Sequence, residues 1–258
     1  MTVTPEATPK ATPKAAAGAK MMYLIKRRAT TSREELIAHW FANHMPAVIA
    51  RNKNGGATGG LQASRYLGIL FDPKVGDDPA KQPIWDGMAQ LWFDKAPPPS
   101  TSAHGEVPAD TFQEMAEPYR PWATREYVIM DGPLPLKPLT LNAPFPCTRS
   151  GFFKVTFLVC LKAGADSGDL FDYWLNVHVP NVRQTMEAVG GFRYVVSHSL
   201  DPNNETYAGM AELYFPDPSG WDRYRDHIKP DGMDDFINRD GMEVFHSGTE
   251  MVGIEAPR

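Results

Sequence analysis

Leu36-Ile37-Ala38-His39-Trp40-Phe41-Ala42-Asn43-His44-Met45-Pro46 and Leu170-Phe171-Asp172-Tyr173-Trp174-Leu175-Asn176-Val177-His178-Val179-Pro180 are two versions of one phrase. A single shift carries 36 to 170, 40 to 174 and 44 to 178. In each version Leu, Trp, His and then Val48 or Val182 recur every fourth residue, which places them on one face of a helix. An imidazole therefore lies on an apolar stripe, one turn beyond a tryptophan. Pro46 and Pro180 follow two residues later and cannot donate to the preceding turn, so the helix is expected to kink or end there.

The repeat extends outward from this helix. Arg65-Tyr66 answers Arg193-Tyr194, and Gly87-Met88-Ala89-Gln90-Leu91 answers Gly209-Met210-Ala211-Glu212-Leu213. Each copy opens on an apolar strand (21–26, 152–161). The helix follows, started in the first copy by the capping-box pattern Ser32-Arg33-Glu34-Glu35 and in the second by Asp166 or Ser167. Strand two (64–71, 192–199) stops at Asp72-Pro73 and Asp201-Pro202, and strand three covers 87–93 and 208–215. Polar helical segments at 109–116 and 220–227 precede a last strand at 125–130 and 245–254. This β-α-β-β-α-β order is the ferredoxin-like arrangement, an α+β fold. Its antiparallel sheet has helices on one face only, so the bare face needs a partner, which the second copy supplies.

The expected divisions are an N-terminal arm over 1–20, a first domain over 21–132, a proline-rich linker over 133–150 and a second domain over 151–258. The arm has no apolar periodicity and is expected to be disordered. The Gly-rich run 53–60 reads as an insertion in the first copy.

Of 258 residues, 42% are hydrophobic and 22% charged, a globular balance. The net charge of −5 offers no general attraction to nucleic acid or an anionic membrane. No apolar run is long enough to span a bilayer and no secretory signal is evident, so a cytoplasmic protein is expected. The two cysteines, Cys147 in the linker and Cys160 in a strand, form neither a disulfide framework nor a metal pattern. His39 and His44 lack the spacing of a helical metal pair, and no phosphate loop, dinucleotide motif or nucleophile elbow occurs.

Acid/base chemistry is the remaining signal. A desolvated imidazole stays neutral and can act as a base near pH 7. The competing reading of His44 and His178 is structural, with each ring satisfied by a backbone carbonyl. Around them the copies differ: His39 and Asn43 in the first become Tyr173 and Val177 in the second. His39 and Asn43 form a polar pair beside the stripe, and Tyr173 has a phenol that can serve a developing oxyanion. The candidate catalytic residues are His178, His44, Tyr173 and His39. The candidate substrate-binding residues are Trp40, Trp174, Asn43, His198, Tyr194 and Tyr66.

The sequence from strand one through Trp-x-x-x-His-x-Pro, Arg-Tyr and Gly-Met-Ala-x-Leu resembles the EthD domain of the dimeric α/β-barrel superfamily, in both copies and thus over nearly all of residues 21–256. The second copy is the more typical, and an active pocket in the first would be a specialised one. The resemblance implies that the two sheets pair as an intramolecular dimeric α/β-barrel. It further implies a range of roles: dehydratases and cyclases of aromatic polyketides, muconolactone isomerases, cofactor-free monooxygenases and haem-handling proteins. A lyase or isomerase with no cofactor, acting by histidine acid/base catalysis on a small aromatic substrate, is the leading expectation. A haem protein with an axial histidine, a cofactor-free monooxygenase and a non-catalytic binding module are the alternatives. The expected partner is a small molecule, not nucleic acid or membrane, and a homodimer of the whole chain is allowed.

Overall fold

The computed structural model describes residues 13–56, 60–73, 84–134 and 144–255. One ten-stranded antiparallel sheet organises them, in the order β5-β10-β2-β3-β1-β4-β7-β8-β6-β9. The strands are β1 Ala19–Ile25, β2 Arg65–Leu70, β3 Gly87–Phe93, β4 Pro121–Asp131, β5 Cys147–Arg149, β6 Phe153–Val159, β7 Arg193–Ser199, β8 Gly209–Phe215, β9 Glu243–Ser247 and β10 Thr249–Ile254. The helices are α1 Arg33–His39, α2 Met45–Lys53, α3 Thr111–Met115, α4 Ser167–Tyr173, α5 Val179–Val189 and α6 Pro218–His227. The fold is thus mixed α+β with a large antiparallel sheet, as ferredoxin-like and dimeric α/β-barrel proteins have.

The two halves are joined by strands that serve both. The start of β4 pairs with β1, and its later residues pair with β7. Likewise β9 pairs with β6, and β10, one glycine further on, pairs with β2. The sheet so closes on itself.

Alternation along β1 sorts its side chains. Met21, Tyr23 and Ile25 pack towards Leu36, Trp40 and Met45 of the helices. Met22 faces the other way, into a cluster shared with Leu158, Met210 and Phe245 of the second half. Lys20, on the same inner side, is 1% exposed and contacts Glu126 and Glu212. Lys154 holds the corresponding place on β6, is fully buried, and contacts Glu212 and Glu250. Arg149 also binds Glu250, and Gln90 donates to Glu212. Lysines and glutamates alternate through the middle of the molecule, so each buried charge has an opposite neighbour, the condition under which such charges are tolerated.

These residues correct two boundaries. Residues 1–12 of the expected arm lie outside the described residues, but Ala19 and Lys20 belong to β1, and Lys20 is at the centre of the ionic cluster. Residues 135–143 of the expected linker also lie outside them, whereas Cys147 and Arg149 form β5 against β10.

The helices do not end at their prolines. Trp40–His44 and Trp174–His178 each form one π-helical turn, and Met45 N–H and Val179 N–H donate to the Trp40 and Trp174 carbonyls five residues back. The wider turn precedes a proline that cannot donate, and the helix resumes as α2 or α5. The glycines opening β3 and β8 leave room for the indoles. A Cβ on Gly209 would lie 2.6 Å from the Trp174 ring, and one on Gly87 would lie 3.1 Å from Trp40.

A further correction concerns the short helix before the last strand. Arg27 bridges Ala116 and Leu161 bridges Ile237. These bridges register Asp110–Ala116 with Asp231–Ile237, not with α6. The counterpart of α3 is therefore the 3-10 turn Met233–Asp235, and α6 occupies a stage of the chain where the first half has the irregular segment before Asp110.

Candidate active site

The register just given brings an aspartate to each histidine. Asp110 caps α3, accepting the Gln113 N–H with one carboxylate oxygen. Its other oxygen lies 2.6 Å from His44 Nδ1. Burial alone would raise the Asp110 pKa, but the His44 hydrogen bond and charge, the Gln113 N–H and the Arg51 charge together hold it below the usual carboxylate value. An ionised carboxylate only accepts, so Nδ1 is the donor, and in the uncharged ring that nitrogen keeps the proton while Nε2 carries the lone pair. Nε2 has no hydrogen-bond partner among the described residues.

His44 lines a cavity of about 70 Å³ between the first-half helices and the sheet. Its wall is largely aromatic: Tyr23, Trp40, Tyr66, His104, Phe112 and Tyr119. Phe112 packs on both His44 and Trp40, with ring centroids 4.5 and 5.4 Å away. The Tyr66 oxygen accepts from Trp40 Nε1 at 3.2 Å, and its own proton goes to no described residue. Tyr119 accepts from Gln113 at 3.3 Å. Burial pushes both phenols well above the ordinary tyrosine value, so they remain neutral donors. Burial, with the charges of His44 and Arg51, lowers the His104 pKa and keeps that ring neutral as well.

The second half repeats the pair in another setting. His178 Nδ1 lies 2.8 Å from Asp231 Oδ2, which also accepts from Asn181 at 2.7 Å. Burial opposes it, yet the bonds from His178 and Asn181, the His178 charge and the Met233 N–H pull Asp231 to about 2. The Tyr173 hydroxyl donates to the Asp231 backbone carbonyl, so that phenol is already engaged.

The other candidates scatter. Trp40 and Tyr66 line the cavity with His44. His39 and Asn43 bond each other and Thr111 beside it. Trp174 and Tyr194 lie in the core of the second half, 1% and 0% exposed. His198 is 3% exposed, stacked on Phe171 at 4.1 Å, and its Nε2 has no partner among the described residues. Burial first, then the Arg125 charge, lowers its pKa to about 3, so it is neutral. Sequence reasoning missed Asp110, Asp231, His104, Arg51 and Tyr119. The signal available for the aspartates was Asp110-Thr111-Phe112 against Asp231-Gly232-Met233, each leading into the last strand.

Residues 162–240 match the EthD domain family. That span holds Tyr173, His178 and Asp231. No curated protein matches the chain in sequence. Solved structures do share its fold. An anthrone oxidase-like protein is 9% identical, with 94% of this chain and 96% of that one covered and a TM-score of 0.56. A haem-binding protein from Thermus thermophilus is 10% identical over 95% of each chain, with a TM-score of 0.44. Chlorite dismutase from Candidatus Nitrospira defluvii is 7% identical over 90% of this chain and 91% of that one, with a TM-score of 0.45. The first of these is named for an oxidase, not for a lyase or an isomerase.

The expectation of no cofactor is corrected by these neighbours, one of which binds haem. Tested on this chain, the described residues do not fit haem. The cavity of about 70 Å³ is too small to enclose a macrocycle. His198, the other buried imidazole, is packed among the rings of Phe171, Tyr127 and Trp174, which leaves no open face for an iron. No metal-holding group of His, Cys, Asp or Glu occurs among the described residues, and no described helix is long and apolar enough to cross a membrane.

Proposed function

We propose that the first half of the chain is a proton-abstracting site for a small aromatic compound with an acidic C–H next to a carbonyl. The observation that carries this reading is His44, tied to Asp110 through Nδ1 and lining an aromatic cavity with Nε2 unpartnered. Nε2 takes the proton, and the Asp110 carboxylate stabilises the imidazolium that forms. Tyr66 and Tyr119 place phenol protons where the substrate oxygen gains charge. The aromatic walls orient a flat ring and keep water away. Lyase, isomerase and oxidative outcomes all begin with this step, and the proposal concerns the step. We read residues 19–131 and 153–254 as tandem copies of one ferredoxin-like domain, supported by their shared element order and by the matching Arg27–Ala116 and Leu161–Ile237 bridges. In that reading the first copy holds the reacting site.

The test is exchange of the benzylic protons of 2-indanone for deuterium, followed by NMR. The protein should accelerate exchange well beyond an equal concentration of imidazole, and Asp110→Asn should slow it by about tenfold or more, on the order of a lost catalytic hydrogen bond. Exchange no faster than with imidazole would refute the reading.

A further inference from the structure

Arg51 lies on the same helix as His44 and also lines the cavity. Val48 and Arg51 follow His44 at four and seven residues, so base, apolar wall and cation share one face. Arg51 is exposed to solvent while also lining the cavity, and among the described residues it makes no hydrogen bond and no ion pair. The other first-half arginines flanking these elements are engaged: Arg27 with Asp86, Arg28 with the Glu114 carbonyl, Arg33 with the Phe71 carbonyl and Arg65 over the Trp92 ring. The charge of Arg51 is nonetheless felt inside, where it helps to lower both Asp110 and His104.

The rest of the cavity wall holds no lysine and no second arginine. His104 is kept neutral, Tyr23, Tyr66 and Tyr119 are phenols, and Gln113 is an amide. An anion entering the mouth would meet one planar donor fork, suited to a carboxylate. Asp110 would repel such an anion, but it lies at the His44 end and is already hydrogen-bonded to the ring. In the second half the matching place on α5 is Thr185, whose hydroxyl donates back to the Asn181 carbonyl. The cation belongs to the first half alone.

We infer that the compound taken by the His44 cavity is an aromatic carboxylate, its ring among the cavity walls and its carboxylate on Arg51 at the mouth. The inference rests on the proton-abstraction site above and adds the charge of its substrate. Arg51 acts in binding and specificity, while the proton is moved by His44.

Benzoate and its neutral isostere benzamide separate the terms, with binding to the full chain measured by titration calorimetry at low and at physiological salt. Benzoate should bind about tenfold more tightly than benzamide at low salt, the scale of a charge-assisted pair at a partly exposed site. Arg51→Gln should remove that preference, weakening benzoate by far more than benzamide. Arg51→Lys should restore only part of it, because an ammonium lacks the fork. Equal binding of the two probes, or a preference that survives Arg51→Gln, overturns the carboxylate inference while leaving the cavity intact. Binding of neither probe overturns both the inference and the aromatic site on which it rests.

Discussion

Phe157 of β6 lies beneath the Trp221 ring of α6, with centroids 5.9 Å apart. Tyr23, at the matching register on β1, meets instead the His104 imidazole of an irregular segment, 5.7 Å away. The two halves share a His–Asp pair, a Trp and an Arg-Tyr strand, but one carries a helix with an apolar ring where the other carries a loop with a polar one. The covering elements thus differ between the halves as much as the paired residues do, and the aromatic cavity lies under the loop of the first. Asp231 shows the same contrast. It serves His178, Asn181 and the Met233 N–H together, whereas Asp110 leaves His44 facing a cavity.

The largest effect that sharpens this comparison is on stability. Lys154 separates two carboxylates that are both nearly or fully buried, while Lys20 shares Glu212 with it and otherwise contacts the more open Glu126. Lys154→Met should destabilise by about 3–5 kcal/mol, as removal of one member of a buried ionic cluster does. Lys20→Met should cost clearly less. Chemical denaturation would show it, and the reverse order would mean that the two sides of the cluster are not distinguished by burial.

Acid should expose the aspartates next. Folded-state carboxyl pKa values that lie below the unfolded ones add stability that is complete above the unfolded value and lost as pH falls through the folded one. Asp231 is held at about 2 against an ordinary 3.8, and Glu250 at about 2 against 4.5. Stability should therefore be flat above about pH 5 and decline towards about pH 2. Asp231→Asn should flatten that decline more than Asp110→Asn, since Asp231 is shifted further. Equal flattening would place the two pairs in equivalent surroundings.

A smaller effect is expected at Gly232, which has φ +90° and whose Cβ position lies 2.7 Å from the Tyr173 oxygen. Thr111 stands there in the first half and bonds His39. Gly232→Ala should cost about 1–2 kcal/mol from backbone strain and should push Tyr173 away from the Asp231 carbonyl. An unchanged melting temperature would show that this loop adapts freely.

Much of the fold was legible because apolar periodicity and a repeated Trp-x-x-x-His-x-Pro survive in the chain as local patterns. His44, Trp40 and Tyr66 were legible for the same reason. Lys20 was not, since a lysine beside an apolar strand looks like its polar flank until Glu212 is known to lie opposite. Asp110 is hidden by register: its polar segment resembles α6 in sequence, whereas the bridges at Ala116 and Ile237 align it with the turn after Asp231. His104 and Arg51 carry no motif. Only the folded chain brings an irregular loop and the end of α2 to the same opening. The more family-typical second half drew attention to His178, yet the aromatic cavity belongs to His44.

Deuterium exchange of 2-indanone by His44→Gln and His178→Gln, each confirmed as folded, tests this division most directly. His44→Gln should lose about 10²–10⁴ in rate, the usual range for a general base, and His178→Gln should stay within about threefold of the parent. Full activity in His44→Gln, or the larger loss in His178→Gln, would contradict it.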